Sequence, residues 1–316
     1  MSINRALLGP LTADGLMDVW YDSYDRQPRI YRDLYKVQSS TRAYEEWTGV
    51  TGALGLAQEV IEDGSVTYVD PAVLTPKRVV MTKFGLGMRR SMEAKQDNRY
   101  GVFTDLSEML GEAFAVKEEI DAASLLNLGF TTVVATGYDG LALFSTSHTL
   151  SAGRFAPSAT NLSAQPAKTT MTWSNRLAAA ADLDYASWQD MATVIRRQVN
   201  YQGNYIQMEP DVIVVPPELK YVIDELKMSP GNPNSANRAA NVVGSEMPRI
   251  VTWHYLLDTD AWFVRCKRHD LRWFDRMPLQ LQPGDEFNTG AELVRGFRRY
   301  GFGFHNPMGW FGETGA

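Results

Sequence analysis

The most regular pattern of apolar and polar positions lies between Phe103 and Asn127, in "FTDLSEMLGEAFAVKEEIDAASLLN". Apolar residues recur there at i, i+3, i+4 and i+7, which predicts an amphipathic helix with Thr104 as its N-cap. The apolar face is predicted to hold Leu106, Met109, Leu110, Ala113, Phe114, Ile120 and Ala123, and the polar face Asp105, Glu108, Glu112 and Glu119. At 1.5 Å per residue the helix is about 37 Å long, so we expect a structural spine.

Apolar patterns in the second half of the chain predict alternating helices and strands. "DYASWQDMATVIRRQ" places apolar residues on one side of a helix that starts near Asp184 or Ala186. The run Val212 to Val215 predicts a buried strand that leads through Pro216 and Pro217 into a third helix. "IVTWHYL" and "AWFVRC" predict a hairpin, and "LRWFDRMPLQLQ" and "ELVRGFRRYGFGFH" predict further strands. The chain is therefore expected to be α+β.

The first part of the chain lacks a sustained helical pattern. "VWYDSYDRQPRIYRDLYK" mixes charges with aromatic residues, which indicates an extended arm that cannot form a core of its own. Its aromatic residues are Trp20, Tyr21, Tyr24, Tyr31 and Tyr35. These aromatic residues therefore need a surface outside the arm on which to pack.

The segment "SVTYVDPAVLTPKRVVMTKFG" predicts two strands joined by a long connection, as in a projecting hairpin. The first strand is placed at the alternating residues around Val66 and Tyr68, and the second at the β-branched pair Val79 and Val80. A second excursion is expected between Met228 and Met247, where Asn, Pro, Ser and Gly predict a long mobile loop.

Composition narrows the classes of function. The 316 residues are 44% hydrophobic and 22% charged, which allows a sizeable core. No apolar run approaches the roughly 20 residues that cross a bilayer, and no secretory signal is evident. The net charge of -6 disfavours tight nucleic-acid binding, and the single cysteine, Cys266, fits a reducing compartment. Because His254, His269 and His305 lack ligand spacing, no metal or cofactor is expected.

One stretch carries residues with catalytic chemistry. "GYDGLALFSTSHTL" places Asp139, Ser145, Ser147 and His148 close together. A serine hydrolase needs a strained elbow such as GxSxG, which is missing, and a base from elsewhere in the fold. A structural interpretation is favoured: a turn at 138–140, a short strand over 141–144, and a histidine that caps or satisfies the loop.

Two further patterns also favour structural roles. "FGLGMRR" holds Gly85 and Gly87 but has Arg90 where a dinucleotide-binding GxGxxG motif needs its third glycine, so a glycine-kinked strand or a bend is predicted. Arginine doublets at 89–90, 196–197 and 298–299 are expected on solvated faces or in ion pairs with a neighbouring subunit.

Taken in order, these segments resemble the major capsid proteins of tailed bacteriophages, and most nearly the Mu-like major head subunit group. That group has a D-G-x-x-L-F-S-x-x-H-P-L pattern. The matching residues here are Asp139, Gly140, Leu143, Phe144, Ser145, His148 and Leu150. Thr149 replaces the common proline. "KFGLGMRRSMEAKQD", "NLSA", "MEPDVIVVPPELKYVIDELK" and the Asn-rich "NPNSANRAANVV" extend the resemblance over nearly the whole chain.

The resemblance implies the tailed-phage major-capsid fold, with an N-terminal arm at 1–40 and an E-loop hairpin at 41–84. A P-domain at 85–177 would hold the spine helix, an A-domain would follow at 178–267, and 268–316 would return to the P-domain. The implied function is a non-catalytic major capsid protein that self-assembles through hexamers and pentamers into an icosahedral shell around double-stranded DNA. It would be assembled in the host cytoplasm and located in the virion capsid.

The resemblance also implies partners and residues for assembly. The partners are other copies of the chain, a separate scaffolding protein, a portal and a decoration protein, with no membrane and no sequence-specific DNA contact. The implied assembly or structural residues are Trp20, Tyr21, Tyr24, Tyr31, Tyr35, Lys77, Lys83, Gly85, Gly87, Arg89, Arg90, Gly137, Asp139, Gly140, His148, Asn232 and Asn234. Some family members form a Lys–Asn isopeptide crosslink, and although Lys77 and Lys83 lie in or near the E-loop, none is predicted here.

Two alternatives stay open from the sequence. One is a phage tail protein or another oligomeric virion component, which would also be rich in β-strands. The other is a hydrolase that uses the region of Asp139 and His148. The spine helix and the βα pattern from Val212 to Met228 favour the capsid interpretation over the first.

Overall fold

The structure of the chain is a computed structural model, which describes residues 13–49, 60, 62, 64–66, 68, 73–93, 100–149, 172–199, 205–231 and 240–315. The helices are α1 Ala13–Arg26, α2 Tyr31–Leu34, α3 Tyr100–Asn127, α4 Tyr185–Arg196, α5 Lys220–Met228 and α6 Val243–Glu246, with a 3-10 turn at Pro217–Leu219. The strands are β1 Lys36–Ser39, β2 Tyr44–Trp47, β3 Lys77–Val80, β4 Thr82–Arg90, β5 His148–Thr149, β6 Thr172–Trp173, β7 Pro210–Val215, β8 Arg249–Thr252, β9 Trp262–Cys266, β10 Arg272–Asp285, β11 Glu292–Gly303 and β12 Trp310–Glu313. The α+β prediction is confirmed.

The chain divides into two compact units. The first comprises Met1–Glu45, Val79–Ala122 and Arg272–Phe302, and the second comprises Glu46–Arg78, Ala123–Leu271 and Gly303–Ala316. Each unit is therefore assembled from three separate stretches of sequence. These divisions run across the expected arm, E-loop, P-domain and A-domain boundaries, which stay predictions.

The first unit is built on a four-stranded sheet in the order β1-β10-β11-β4. β1 runs parallel to β10, with Lys36 opposite Arg272, and β4 runs antiparallel to β11, with Arg90 opposite Glu292. Its core joins Trp20 and Tyr24 of α1, Leu110, Phe114 and Ala115 of α3, and Leu279 of β10. Residues from both ends of the chain thus pack on the spine helix.

The second unit is built on a four-stranded sheet in the order β12-β9-β7-β8. β7 is central and almost entirely apolar, as a strand covered on both faces requires. α4 and α5 pack on this sheet through buried residues that include Trp188, Met191 and Ile223. α4 begins at a capping box, in which the Asp184 carboxylate accepts from the Ser187 N–H, so the predicted start of this helix is confirmed.

The spine helix is confirmed, but its predicted face is only partly right. Leu110, Phe114 and Ala123 are buried, whereas Leu106, Met109 and Ile120 are exposed. Glu119, predicted on the polar face, is buried together with Glu118. Thr104 lies inside the helix, which begins at Tyr100, so it is not the N-cap. A carboxylate that finds buried partners can occupy a core face, and apolar periodicity does not reveal such partners.

The prediction of an extended arm is wrong for residues 13–34. They form α1 and α2, and Trp20, Tyr24 and Tyr31 are buried in this same chain. Trp20 and Tyr24 are four residues apart and therefore share one helical face. Two aromatic residues bury enough area to dock a short helix, although they leave little apolar periodicity to detect.

Two strand predictions are also corrected. β2 lies at Tyr44–Trp47 and pairs with β3, while the described residues around Val66 and Tyr68 form no strand. The second predicted strand, at Val79 and Val80, is confirmed in β3. β8 and β9 do not form a hairpin: β8 is parallel to β7, and β9 is antiparallel to β7 on its other side.

Candidate functional site

The predicted catalytic cluster forms a closed structural pair. His148 Nδ1 lies 2.7 Å from Asp139 Oδ2, and both side chains are fully buried. The imidazole stacks on Trp173 at a centroid distance of 4.6 Å, because His148 and Trp173 are opposite each other in β5 and β6. Asp139 is brought to this position by a turn that ends at Gly140, whose φ of 75° favours glycine.

The surroundings of Asp139 favour its ionised form. Burial raises the pKa of Asp139, but the His148 hydrogen bond and the backbone N–H of Leu141 outweigh burial, so the pKa lies below its ordinary value. The carboxylate can only accept, so Nδ1 of His148 carries the proton and donates. Asp139 thus fixes the ring in the loop as predicted, while residues 141–144 form no strand, contrary to prediction.

A nucleophile is not in place beside this histidine. Ser145 Oγ accepts from the Ser147 N–H at 3.2 Å, and His148 Nε2 has no hydrogen-bond partner among the described residues. Because neither ring nor carboxylate is accessible, a substrate cannot reach the pair. The arrangement holds a loop closed and does not support hydrolysis.

Asn175 ties the same loop to the second sheet, and sequence reasoning missed it. Its Nδ2 donates to Leu143 O at 2.6 Å and to Trp310 O at 3.0 Å, and its Oδ1 accepts from Ser145 N at 2.9 Å. The side chain is completely buried. All of its partners are backbone atoms, so no residue pattern in the sequence marks them. The Asn175 side chain thereby supplies hydrogen-bond partners to backbone groups of a loop that makes few backbone hydrogen bonds within itself.

The arm residues converge on a carboxylate of the spine helix, and we call Tyr24, Tyr31, Glu118, Arg298 and Asp275 the tyrosine anchor. Glu118 Oε1 accepts from Tyr24 OH at 2.7 Å, and Oε2 accepts from Tyr31 OH at 2.9 Å. Arg298 forms an ion pair with the same carboxylate, with Nε 2.6 Å from Oε1. Arg298 also donates to Asp275 Oδ1 at 2.8 Å. The predicted solvated or intersubunit position of Arg298 is wrong, because the side chain is buried inside the unit.

Burial raises the pKa of the four tyrosines that bond to the spine helix, of which two belong to the tyrosine anchor. Burial and the Glu118 charge raise the pKa of Tyr24 and of Tyr31 far above the ordinary tyrosine value. Burial also raises the pKa of Tyr35, whose hydroxyl donates to Ala122 O at 2.7 Å. Burial and a hydrogen bond to Asp121 raise the pKa of Tyr300. These four hydroxyls therefore stay protonated donors at neutral pH and hold α1, α2 and β11 on the spine helix.

A glycine allows the close contact between α1 and the spine helix. A Cβ added at Gly111 would lie 2.5 Å from Trp20 O and would also collide with Ser23 Oγ. Ser23 Oγ instead donates to Glu108 O at 3.0 Å and so bridges the two helices. The packing role of Gly111 depends on a contact more than 80 residues away in the sequence, so no local pattern reveals it.

The remaining candidate residues are spread over both units. Gly85 and Gly87 lie in β4, which confirms the strand interpretation of "FGLGMRR". Arg90 pairs with Glu292, and Arg89 pairs with Glu286 at 2.5 Å, so the doublet is used within the chain. Lys83 Nζ lies 3.8 Å from the Phe297 ring centroid, and Lys77 donates to Thr136 Oγ1 at 2.6 Å.

The structure therefore groups some candidates and separates others. Trp20, Tyr24, Tyr31 and Tyr35 lie in the first unit around the spine helix, with Tyr21 half-exposed beside them. Gly137 lies in the same loop as the Asp139 and His148 pair in the second unit. Asn232 and Asn234, with the rest of 232–239, lie outside the described residues. The loop predicted between Met228 and Met247 is corrected at Val243–Glu246, which forms α6.

The described residues form neither a metal centre nor a membrane-spanning helix. Among the described residues, no group of three or more His, Cys, Asp and Glu side chains is placed to hold a metal ion. In the same ranges, no helix combines the length and the apolar composition that crossing a membrane requires.

The polar clusters of this α+β fold are buried and bonded within the chain, as side chains with a structural role are. A model of the phage capsid protein family matches residues 75–311, which is most of the chain. The chain belongs to this family. It is a structural, non-enzymatic capsid protein of a phage virion, so the structural prediction is confirmed and the hydrolase alternative is set aside.

Solved capsid structures share the fold at low sequence identity. A chain of Microbacterium phage Oxtober96 has a TM-score of 0.55 and 13% identity, with 100% of both chains covered. The capsid of an empty GTA particle has a TM-score of 0.58 and 10% identity, with 92% of this chain and 91% of that chain covered. The capsid of Cyanophage P-SCSP1u gives 0.56 and 14%, with coverage of 92% and 89%. No curated protein matches the sequence.

Proposed function

We propose that this chain is the major capsid subunit of a tailed phage, of the Mu-like head subunit group. Copies assemble through hexamers and pentamers into an icosahedral shell that encloses double-stranded DNA. The single observation that carries the proposal is the family match over residues 75–311. Its fold likeness over the full length of a phage chain supports a subunit of the shell itself.

The proposed parts of the subunit follow the family order. The arm is 1–40, the E-loop 41–84, the first part of the P-domain 85–177, the A-domain 178–267, and the final part of the P-domain 268–316. Because Trp20, Tyr24, Tyr31 and Tyr35 are buried within the chain, their role is to fix the base of the arm on the spine helix. Contacts between subunits are then left to exposed residues such as Tyr21 and to the E-loop.

The proposed partners are a separate scaffolding protein, a portal and a decoration protein, with assembly in the host cytoplasm. The net charge of -6 supports a shell that does not bind the packaged DNA tightly through electrostatic attraction. A strongly positive inner surface in an assembled shell would contradict this statement.

Covalent crosslinking is not part of the proposal. Lys77 and Lys83 are both engaged within the chain, with Thr136 and with the Phe297 ring. A crosslinking lysine must instead present its amine to an asparagine of another subunit. Mature particles boiled in detergent should therefore run as monomers on a denaturing gel, and a ladder of higher bands would contradict this expectation.

Electron microscopy of the purified protein tests the main proposal. The chain is expressed alone and then with the neighbouring genes of its phage, and both preparations are imaged. Closed shells, tubes or capsomer rings are expected in at least one of them. A discrete small oligomer in both preparations would overturn the proposal and favour a tail or other virion component.

A further inference from the structure

The second unit contains a cavity beside the C-terminal end of α4. Its volume is about 680 Å³, and sites for small ligands in proteins typically have about 300–1,000 Å³. Ser174 and Arg176, which follow β6, form one side, and residues within 193–199 form the other. Thr193 and Arg197 are exposed, so the cavity is open to solvent at this edge. A ligand therefore has access to it.

Part of the cavity wall is apolar. Ala178, Val194 and Val199 line it together with Tyr205, which is 41% exposed. An antiparallel bridge between Val199 and Tyr205 fixes the tyrosine beside this wall. The cavity therefore suits a ligand that brings apolar atoms as well as polar ones.

Arg197 gives the cavity an available positive charge. Its side chain is exposed and forms no ion pair with any described residue, whereas Arg196 next to it pairs with Glu246 at 2.7 Å. Arg176 also lines the cavity, but its Nη2 lies 3.6 Å from Glu313 Oε2, so part of its charge is already balanced. Among the described lining residues there is no Asp and no Glu. These charges favour a ligand with a single negative group.

The cavity wall also holds a hydrogen-bond acceptor that lacks a donor. Gln198 lines the cavity and is 4% exposed. Its Nε2 donates to Ser174 O at 2.8 Å, whereas its Oε1 has no hydrogen-bond partner among the described residues. A buried acceptor without a donor is costly, so an N–H brought by a ligand stabilises the complex. The helix dipole alone explains a cation such as Arg197 at a helix end, but it does not explain Gln198.

We propose that this cavity binds an extended peptide segment of a partner protein that carries one acidic side chain. The carboxylate pairs with Arg197, a backbone N–H donates to Gln198 Oε1, and a neighbouring aliphatic side chain packs on Val194 and Val199. The open edge lets the peptide chain enter and leave. A nucleic-acid strand fits less well, because it brings one charge per nucleotide and needs a row of cations. The proposal goes beyond the shell function and does not depend on it.

Titration of the purified full chain with short peptides tests the proposal. The probe is acetyl-Leu-Asp-Leu-amide, its binding is followed by ligand-detected NMR, and the protein is kept dilute so that assembly does not compete. A dissociation constant of about 1 mM or lower is expected. Acetyl-Leu-Asn-Leu-amide differs in charge alone and should bind about tenfold more weakly, because it lacks the charge-assisted hydrogen bond to Arg197.

Two neighbouring arginines provide matched variants. Arg197→Gln should weaken binding of the Asp peptide about tenfold, to the level of the Asn peptide, and leave the Asn peptide unchanged. Arg196→Gln removes the same charge one residue away, where the side chain pairs with Glu246, and should leave both peptides unchanged. Gln198→Met keeps the length of the side chain, removes the acceptor and should weaken both peptides about tenfold. Its thermal unfolding is compared with that of the wild type, because Ser174 O also loses its donor.

Several results would overturn the proposal. They are no binding of the Asp peptide at about 10 mM, equal binding of the Asp and Asn peptides, and equal effects of Arg196→Gln and Arg197→Gln. Thymidine 5′-monophosphate is titrated in parallel. If it binds more tightly than the Asp peptide and responds to Arg197→Gln, the site belongs to a nucleotide and the peptide is wrong. Each of these results leaves the shell function standing, because electron microscopy of assembly tests that function separately.

Discussion

Removal of the carboxylate at the centre of the tyrosine anchor should release the N-terminal helices from the spine helix. Glu118 is 1% exposed, accepts from two tyrosine hydroxyls and forms an ion pair with the Arg298 guanidinium. In Glu118→Ala, Arg298 keeps only Asp275, and both hydroxyls lose their acceptor. Breaking a buried pair costs about 3–5 kcal/mol, and the losses of coupled partners do not add, so we expect about 4 kcal/mol for the first unit.

Hydrogen exchange followed by mass spectrometry measures this change in the segment that it affects. A loss of about 4 kcal/mol should speed exchange in peptides from residues 13–39 by about three orders of magnitude, while peptides of the second sheet change little. Glu118→Gln keeps an acceptor without the charge and should show roughly half of the loss in free energy. The measurement is made at low protein concentration, so that assembly does not contribute to protection.

Glu112→Ala provides the matched control on the same helix. Its carboxylate is exposed and accepts only from Gln27 Nε2, at 3.2 Å, so the change should stay within about 0.5 kcal/mol. The reasoning is refuted if Glu118→Ala exchanges like the wild type in residues 13–39. Equal effects of the two substitutions would also refute it, because the buried network would then add nothing to an ordinary surface change.

Three further predictions follow from the same structure. Gly111→Ala should destabilise the first unit by about 1–3 kcal/mol in urea unfolding, because the new methyl group meets the Trp20 carbonyl, whereas Gly284→Ala on open β10 should be near neutral. Asp139→Asn should lower stability by about 1–3 kcal/mol at pH 7. Because the pKa of Asp139 is depressed, that loss should be full above about pH 4 and shrink as the pH falls through the lower, folded-state pKa; a pH-independent loss would contradict it. The four buried tyrosines of the first unit have raised pKa values, so their neutral form stabilises the fold fully below about pH 10 and less above it. In an alkaline titration followed by absorbance they should ionise together with unfolding, and their ionisation before unfolding would refute the assigned burial.

The elements that the sequence predicted well are those in which one local pattern decides the structure. α4 has both a capping residue, Asp184, and a clear apolar face, and β7 is a continuous apolar run ended by Pro216 and Pro217. In these segments the propensity, the caps and the burial agree. The strand β4 was also predicted correctly. Its sequence lacks the third glycine of a GxGxxG motif, so no dinucleotide-binding loop competed with the strand interpretation.

The errors lie where distant contacts override a local pattern. The pairing of β8 with β7 rather than β9 depends on which edges of the sheet are open, and two adjacent runs of β-branched residues do not reveal that. Glu119 was predicted on the polar face but is buried, and its neighbour Glu118 is buried beside Arg298, which lies 180 positions later in the sequence. In the candidate site, the Asp139 turn was predictable from its local residues, whereas Asn175 was not.

The parallel pairing of β1 with β10 has a consequence for the time at which the chain can fold. Lys36 precedes its partner Arg272 by 236 residues, so at about 5–20 residues per second the strand waits on the order of 10–50 s for the sheet that will hold it. The first unit therefore cannot close around its spine helix until β10 and β11 have also been synthesised. A nascent chain that has not yet reached Phe302 is consequently unable to present a complete first unit to other subunits.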